Sequence, residues 1–306
     1  MVPRLKFLLL AGLLAAGACG RSGGAGADPP AVLPGTLTLA TYNIHNFFDA
    51  YDNPYTEDEG TAPKKPQELA ELAEAIHLLN ADVVVLEEVE FGGFLTKFNK
   101  ERLGDMGYTA VESPTGDARG ISVAVLSRLP VLRVTSHRFV ALSDGGGPET
   151  HFARDLLRVD LRLSNGQTLV VYGTHLKSKL PSPGDDQSAV WRLAEAKRIV
   201  QIMRDEMKSE HLQLVALCGD FNDDPETPPR TALLKATTPD LLDPLAGRKA
   251  EDRQTFLSSQ FHDSFDDVLL SPRLAAYFDA TNADIVRGGV FETASDHRPV
   301  RVKLGK

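Results

Sequence analysis

The chain has 306 residues, of which 42% are hydrophobic and 25% are charged. This composition is typical of a soluble globular protein, and the length suits one large α/β domain or two small ones. The formal net charge of −9 argues against a protein that binds nucleic acid passively through its bulk charge. It is compatible with an enzyme that acts on phosphates through a metal ion and a few arginines.

Residues 1–18 predict an export signal. Arg4 and Lys6 form a positively charged start, 7–16 is a short apolar segment, and 16–18 is a small-residue cleavage site. The apolar segment is too short to span a bilayer. Cleavage would make the net charge more negative, because both cations leave with the signal.

The residue after the predicted cleavage site is Cys19. The segment Ala15-Ala16-Gly17-Ala18-Cys19 resembles a relaxed bacterial lipobox, in which the cysteine becomes the lipidated first residue, although an alanine replaces the usual leucine. An ordinary signal-peptidase site is the alternative. The sequence therefore predicts an exported protein that is either a cell-envelope lipoprotein, membrane-anchored through Cys19, or a secreted or periplasmic protein.

Residues 19–35 are rich in Gly, Ala and Pro and predict a flexible linker. Residues 36–306 show no internal repeat and no second change of composition, so we predict one domain there, and a monomer. Cys218 is the one cysteine of that domain, so an intramolecular disulfide within it is excluded.

The hydrophobic pattern predicts strands and helices in a mixed order. In chain order, these are strand 37–43, helix 69–79, strand 82–89, helix 94–103, strands 121–127, 155–163 and 168–174, helix 187–207, strand 213–218, a helix starting near Pro228, and strands 267–271 and 300–304. Some strands are adjacent and others are separated by helices. This mixture favours two packed sheets with helices outside them.

Polar side chains recur where the predicted strands end or begin. Each one alone has an ordinary explanation, such as a turn or a solvated strand end, but together they predict one polar rim: Asn43, Glu88, His175, Asp220, Asn222, Asp296 and His297. On an extended backbone, Asp220 and Asn222 would point to the same side. Carboxylate and amide oxygens suit Mg²⁺, with Mn²⁺ or Ca²⁺ as alternatives.

Five segments carry a family resemblance. They are Thr41-Tyr42-Asn43, Leu86-Glu87-Glu88-Val89, Gly173-Thr174-His175-Leu176, Gly219-Asp220-Phe221-Asn222 and Ser295-Asp296-His297-Arg298-Pro299-Val300. In this order they resemble the motifs of the endonuclease/exonuclease/phosphatase superfamily, the DNase I-like enzymes, over nearly all of 36–306. The similarity extends to exported bacterial members through Asn46-Phe47-Phe48-Asp49. These motifs are specific for the superfamily and weak for substrate.

The resemblance implies an α/β fold, a four-layer α-β-β-α sandwich of two packed mixed sheets flanked by helices, and metal-dependent hydrolysis of phosphoesters. By position, Asn43, Glu88 and Asp296 would hold the divalent ion. Asp220 and Asn222 would orient the attacking water and bind the scissile phosphate.

The resemblance also implies roles for two histidines and an arginine. His297 would be the general base or a charge-stabilising imidazolium, oriented by Asp266, with Asp267 as the competing choice because a one-residue slip exchanges the strand faces. His175 would act as general acid or phosphate ligand. Arg154 resembles a phosphate-contacting arginine, with a surface arginine as the alternative.

One position departs from the family pattern. Glu87 stands where a glutamine usually precedes the metal-binding glutamate. Strand alternation predicts that Glu87 points away from the cleft if Glu88 points into it.

These features predict an exported metal-dependent phosphodiesterase, an endonuclease acting on DNA or RNA. The alternatives are a phosphomonoesterase, a phospholipase C-like or inositol-phosphate phosphatase, and an inactive binding module.

A basic rim would help a nuclease to bind nucleic acid. The candidates for it are Arg119, Arg154, Lys177, Lys179, Arg192 and Arg298. The acidic loop 49–66 has three interpretations: it lines the cleft, binds a further ion through Asp52, Glu57 or Asp58, or is simply solvated.

Overall fold

The computed structural model describes residues 32–51, 53–142, 150–257 and 263–305. The predicted signal 1–18, Cys19, most of the predicted linker and Asp52 lie outside these ranges. The last part of the predicted linker already contacts the domain. The Val32 amide donates a hydrogen bond to the Gln167 side chain (2.7 Å), and the Leu33 side chain is buried in the core.

One mixed sheet brings together strands from both ends of the described chain. Its members are β1 (Leu37–Phe47), β2 (Val83–Glu90), β3 (Thr109–Glu112), β4 (Ile121–Ser127), β10 (Phe278–Ile285) and β11 (Val300–Leu304). Their order across the sheet is β10-β11-β1-β2-β4-β3. β1 and β2 run parallel, and β11 runs antiparallel to β1.

The other sheet is built from the middle of the chain. Its members are β5 (Val131–Ser136), β6 (Leu156–Arg162), β7 (Thr168–His175), β8 (Leu214–Asp220) and β9 (Asp266–Leu270), in that order. β7 and β8 are parallel, and β9 is antiparallel to β8.

Helices cover the outer faces of both sheets. They are α1 (Pro66–Leu79), α2 (Phe94–Arg102), α3 (Ala189–Ser209) and α4 (Pro228–Leu234). The short helix α5 (Pro272–Ala275) instead buries Leu274 in the apolar cluster between the sheets. α1 begins with proline, where the missing N–H costs nothing, and it is followed by the capping residue Asn80 in a left-handed conformation (φ 44°). Its buried Leu72, Ile76 and Leu79 pack on the first sheet.

Three apolar clusters separate four layers. One fills the space between the sheets and includes Val85, Val123 and Val171. The second lies between the first sheet and the α1–α2 side, and the third lies between the second sheet and the α3–α4 side. The predicted α-β-β-α sandwich is therefore confirmed. Within the described ranges, no helix is both long and apolar enough to cross a membrane.

The strands that sequence periodicity did not predict are β3, β5 and β10. All three lie at sheet edges. β3 has four residues, and β5 and β10 keep most of their side chains partly or fully exposed. Because an edge strand buries few side chains, it lacks the hydrophobic alternation that identifies a strand.

Two glycines permit the close approach of strands below the polar rim. A Cβ on Gly173 would lie 2.9 Å from side-chain carbons of Val85 and Val123 in the facing sheet. A Cβ on Gly219 would lie 1.9 Å from the Thr174 carbonyl oxygen. Larger residues at either position would push these elements apart.

An ion-pair network stabilises the outer face of the second sheet. Arg158 contacts Asp160 (2.7 Å) and Glu206 (3.0 Å). Glu206 also accepts a hydrogen bond from the Tyr172 hydroxyl (2.5 Å) and contacts His137 Nε2 (2.9 Å). Burial opposes the charge of Glu206, but the hydrogen bonds from His137 and Tyr172 outweigh it and lower its pKa to about 2.

We predict that Glu206→Gln destabilises the protein at neutral pH by on the order of 2 kcal/mol, after allowance for the partial exposure of this side chain. Because the folded-state pKa is lowered, the Glu206 carboxylate contributes stability above pH 4.5, the ordinary pKa, and this stability is lost as the pH falls towards 2. The difference in the free energy of unfolding between wild type and variant, measured with urea, should therefore shrink as the pH falls from 4.5 to 2. The exposed Glu101→Gln is the control and should change little. An unchanged difference across that range would contradict the assignment.

Candidate active site

The polar rim forms where strand ends of both sheets meet. The carboxyl ends of the parallel pair β1 and β2 lie there, and so do those of β7 and β8. β9 and β11 begin at the same rim because they run antiparallel to β8 and β1. This topology gathers residues that are far apart in the chain.

Asp220 and Asp266 lie directly opposite each other on β8 and β9, and both are buried. The His297 ring lies beside both carboxylates, with Nδ1 2.8 Å from Asp266 Oδ2 and Nε2 3.9 Å from Asp220 Oδ2. Asp267 points elsewhere and accepts a hydrogen bond from Arg230 (2.7 Å). The strand register therefore places Asp266, of the two candidates, against the imidazole.

The charges of this cluster depend on one another. Burial opposes a charge on His297, but the carboxylates, Asp266 foremost, outweigh it and raise the pKa of His297 to about 10. Burial, followed by repulsion from Asp266, raises the pKa of Asp220. In the metal-free protein, the geometry therefore favours an imidazolium between carboxyl groups at neutral pH.

Asn43 joins the two sheets at the rim. Its Nδ2 donates to Asp220 Oδ2 (3.0 Å), and its Oδ1 accepts the His45 amide (3.0 Å). The Ser295 hydroxyl donates to the Asn43 carbonyl oxygen (2.7 Å) and accepts the His297 amide (3.1 Å). A small hydroxyl side chain thus holds the histidine segment against β1.

The alternation predicted for Glu87 and Glu88 is wrong. The β1–β2 register shifts at this point, and Glu88 has a left-handed conformation (φ 61°). Because a bulge breaks the two-residue period, the fully buried Glu87 accepts a hydrogen bond from the Thr41 hydroxyl (2.6 Å) on the inter-sheet side. Glu88 accepts the Asn46 amide (2.8 Å) and lies at the rim.

Glu88 and Asp296 lie on the solvent side of the buried cluster. Asp296 Oδ1 is 3.6 Å from His45 Nδ1. Burial lowers the pKa of Lys64, and the carboxylates of Glu68, Asp296 and Glu88 oppose this shift, so the last two lie within electrostatic range of the same ammonium group.

The predicted metal ligands are chemically suited to a hard divalent ion. Asn43, Glu88 and Asp296 supply an amide and two carboxylates, the oxygen donors that Mg²⁺ prefers. In the described ranges, Glu88 uses one carboxylate oxygen for the Asn46 amide, and no hydrogen bond occupies its other oxygen. In the described structure, a different group of acidic and histidine residues brings one potential ligand atom from each residue within 4.8 Å of the others. Its members are Asp220, Asp266 and His297. Hydrogen bonding accounts for the Asp266–His297 part of that group.

Asn222 reaches the rim by a route that differs from the prediction. β8 ends at Asp220, and Asn222 has a left-handed conformation (φ 51°), so the same-side rule for extended chains does not apply. Its amide N–H donates to Asp220 Oδ1 (2.8 Å), and its side chain donates to the Leu176 carbonyl oxygen (2.9 Å). A tight turn, rather than strand alternation, brings the Asn222 backbone amide to the Asp220 carboxylate.

His175 and Arg154 flank Asp220 on the second sheet. His175 Nε2 lies 3.6 Å from Asp220 Oδ2. Burial, followed by the nearby Arg154 charge, lowers the pKa of His175 well below its ordinary value, so its ring is neutral. Arg154 is buried, with Nε 3.1 Å from Asp117 Oδ2 and a hydrogen bond to the Leu176 carbonyl oxygen (3.3 Å). It is not a surface arginine.

The other basic residues of the rim separate into two groups. Arg192 is buried against Asp223 (3.0 Å), and Arg298 pairs with Glu292 (2.7 Å). Arg119, Lys177 and Lys179 are partly exposed near the rim, and Arg119 donates to the Asn46 side chain (3.2 Å).

The loop between β1 and α1 borders the cleft. Its Glu57 amide donates to the Ala118 carbonyl oxygen (2.6 Å). Beside it is a cavity of about 490 Å³, whose polar lining includes His45, Asn46, Lys64 and Arg119.

Sequence reasoning missed the side chains that support His297. The Phe256 ring lies 4.9 Å from the imidazole, and Phe265 stacks on Phe256 (5.5 Å). The Thr255 hydroxyl accepts the amides of Phe265 (2.9 Å) and Asp266 (3.1 Å). The segment from Thr255 to Phe256 shows no strand or helix pattern, so only the fold reveals its position.

Two face-to-face mixed sheets, flanking helices and an acid–histidine rim define the DNase I-like sandwich. The model of the Endonuclease/Exonuclease/phosphatase family matches residues 38–276. The chain belongs to that family. A search of curated protein sequences found no significant match.

Solved structures confirm the fold. The human Nocturnin catalytic domain with bound sulfate is 17% identical, with 88% of this chain and 93% of that chain covered and a TM-score of 0.61. D. rerio TDP2 complexed with a single-strand DNA product is 16% identical, with 89% and 99% covered and a TM-score of 0.61. A family member from Bacteroides thetaiotaomicron is 18% identical, with 88% and 97% covered and a TM-score of 0.57.

We predict that Asp266→Asn lowers the pKa of His297 in the metal-free protein by about 1 to 3 pH units, because it removes the nearest opposite charge. NMR titration of the imidazole measures this directly. The stability that His297 contributes is present below its ordinary pKa of 6.5 and is lost as pH rises towards 10. In the variant this pH-dependent contribution should be smaller and should be lost at a lower pH than in the wild type.

Asp267→Asn is the matched control. It should leave the pKa of His297 unchanged. It should lower the free energy of unfolding by on the order of 2 kcal/mol, because it weakens the buried pair with Arg230. If Asp267→Asn shifted the imidazole pKa as much as Asp266→Asn, the assignment of the histidine partner would be wrong.

Proposed function

We propose that this chain is an exported, divalent-metal-dependent phosphodiesterase, an endonuclease that hydrolyses DNA or RNA with an activated water. The observation that carries the proposal is the His297–Asp266 pair (2.8 Å) beside Asp220 and next to the oxygen donors Glu88 and Asp296. Family membership supports phosphoester hydrolysis. The DNA product in the D. rerio TDP2 structure supports a nucleic-acid substrate.

In this proposal, Asn43, Glu88 and Asp296 hold the divalent ion, with Mg²⁺ favoured over Mn²⁺ or Ca²⁺. When bound, the ion would neutralise charge on the phosphoryl group and on the leaving oxygen. Glu88 and Asp296 lie on the exposed side of the buried cluster, where a substrate phosphate can approach. Hydrogen bonds from the Ser295 hydroxyl and the His45 amide fix the position of Asn43 as a metal ligand.

The remaining residues orient the water, accept its proton and stabilise the negative charge of the phosphate. Asp220 and Asn222 orient the attacking water. His297 takes its proton when neutral, or stabilises the negative charge of the transition state as an imidazolium, while Asp266 fixes the ring. His175 donates a hydrogen bond to the phosphate from its neutral ring, and the fixed charge of Arg154 stabilises the extra negative charge.

We predict that His297→Ala lowers kcat on plasmid DNA about 10²- to 10⁴-fold, the usual contribution of general acid–base catalysis. Circular dichroism and thermal unfolding would report whether the fold is kept, and His297→Gln provides a bulkier second variant. His77→Ala, on the far end of α1, is the control and should retain activity. Near-wild-type turnover by either His297 variant would exclude the proposed role.

A substrate panel tests the activity itself. Plasmid DNA, RNA, a phospholipid and an inositol phosphate would each be assayed with Mg²⁺, with EDTA, and with Mg²⁺ restored after EDTA. Nucleic-acid cleavage that EDTA abolishes and Mg²⁺ restores is the expected result. Release of inorganic phosphate without strand cleavage would favour a phosphomonoesterase, and no hydrolysis of any substrate would favour an inactive binding module.

We also propose that the chain is exported and anchored at Cys19. We predict that a labelled fatty acid is incorporated into the wild type and into Cys218→Ala, but not into Cys19→Ser, and that only Cys19→Ser leaves the membrane fraction. Unlabelled wild-type protein in the soluble envelope or medium would instead support free secretion.

A further inference from the structure

A groove lined by aromatic rings and cations lies beside the candidate active site. Its volume is about 530 Å³, and its principal side chains are Arg138, Phe139, Phe152, Lys177 and Trp191. We call this the aromatic groove. None of these side chains has a role in the chemistry proposed above.

The groove offers ring faces with positive charges close to them. Phe139 is 77% exposed, and the Arg138 guanidinium lies 4.3 Å from its ring centroid. The Lys177 ammonium lies 5.9 Å from the Trp191 ring centroid. The Trp191 indole N–H donates to the His151 carbonyl oxygen (3.2 Å), which fixes the plane of the ring. A single exposed aromatic residue is ordinary, but paired rings and cations around one groove form a stacking surface.

The groove adjoins Arg154, which the proposed function places at the substrate phosphate. Asp117 lines the groove and also pairs with Arg154 (3.1 Å). The buried Glu195 accepts the amides of Ala153 (2.7 Å) and Lys177 (2.8 Å). These amides neighbour Arg154 and the segment that follows His175, so Glu195 fixes the groove relative to both.

We propose that the aromatic groove binds an unpaired nucleobase of a nucleic-acid strand whose phosphate lies at Arg154 and His175. Every base has a π face that stacks on aromatic rings, and nearby arginine and lysine attract the backbone phosphates. In a duplex the base faces are covered by neighbouring base pairs. The groove therefore selects single-stranded or frayed DNA or RNA over an intact duplex. This inference rests on the proposed nuclease function.

The chain provides its own reporter, because Trp191 is its single tryptophan. The purified protein would be titrated in EDTA, so that nothing is cleaved, while the tryptophan fluorescence is followed. The probes are a short single-stranded oligonucleotide, the same sequence as a blunt duplex, and a single strand of the same length with abasic sugars. The base-containing single strand should quench the fluorescence at the lowest concentration.

Phe139→Ala should weaken that binding roughly tenfold, the usual effect of removing one stacking partner. In steady-state cleavage, the alanine variant should raise KM for single strands and leave kcat little changed. Phe139→Trp or Phe139→Tyr should bring KM back towards the wild-type value, because each keeps an aromatic ring. Leu132→Ala is the matched control, because it removes another exposed apolar side chain (41% exposed) from the adjacent edge strand β5.

The outcomes separate this inference from the function on which it rests. Equal quenching by single strand, duplex and abasic strand, or wild-type affinity in Phe139→Ala, would overturn the aromatic groove as a base site even if DNA is cleaved. Base-dependent quenching without hydrolysis of any nucleic acid would support the groove and contradict the nuclease. Quenching by phospholipid vesicles but not by oligonucleotides would overturn the inference in favour of a lipid site.

Discussion

The active-site geometry depends on two buried carboxyl groups, Asp220 and Asp266, held opposite each other on neighbouring antiparallel strands. Like charges in that arrangement repel, and burial makes the repulsion stronger. His297 offsets it by bonding to Asp266 while facing Asp220. The histidine therefore has a structural reason to be charged before any substrate or ion arrives, and the same contacts fix the orientation of its ring.

The two sheets supply complementary halves of the site. Asn43, Glu88 and the His297 segment belong to the first sheet, while His175, Asp220 and Asp266 belong to the second. The Asn43–Asp220 hydrogen bond joins them at the rim. Gly173, below the rim, lets the facing strands approach closely enough for that bond to form. Packing of the core thus determines the distances between groups that belong to different sheets.

Much of this arrangement could be predicted from sequence, because buried strands and their polar ends have strong local patterns. The layered fold and the rim positions of Asn43, His175 and Asp220 follow from those patterns. The missing details are departures from regular backbone. The bulge at Glu88 and the left-handed Asn222 change the direction of side chains, and no alternation rule can anticipate them. The choice between Asp266 and Asp267 required the register of β9. The contact of Phe256 with His297 required the tertiary fold.

Under the proposed function, local charge rather than net charge allows an acidic chain to bind a phosphodiester. Lys64, Arg119 and His45 line a polar cavity near the rim, and Arg138 and Lys177 line the aromatic groove. Asp117 links these regions, because it lines the groove and pairs with Arg154 (3.1 Å) and with Arg119 (3.9 Å), which lines the cavity. At physiological ionic strength, charges more than about 8 Å away are largely screened, so distant surface carboxylates repel a bound strand only weakly. Under the same proposal, the acidic surface discourages non-specific binding, and the affinity for a nucleic-acid strand depends on contacts that only a correctly placed strand can make.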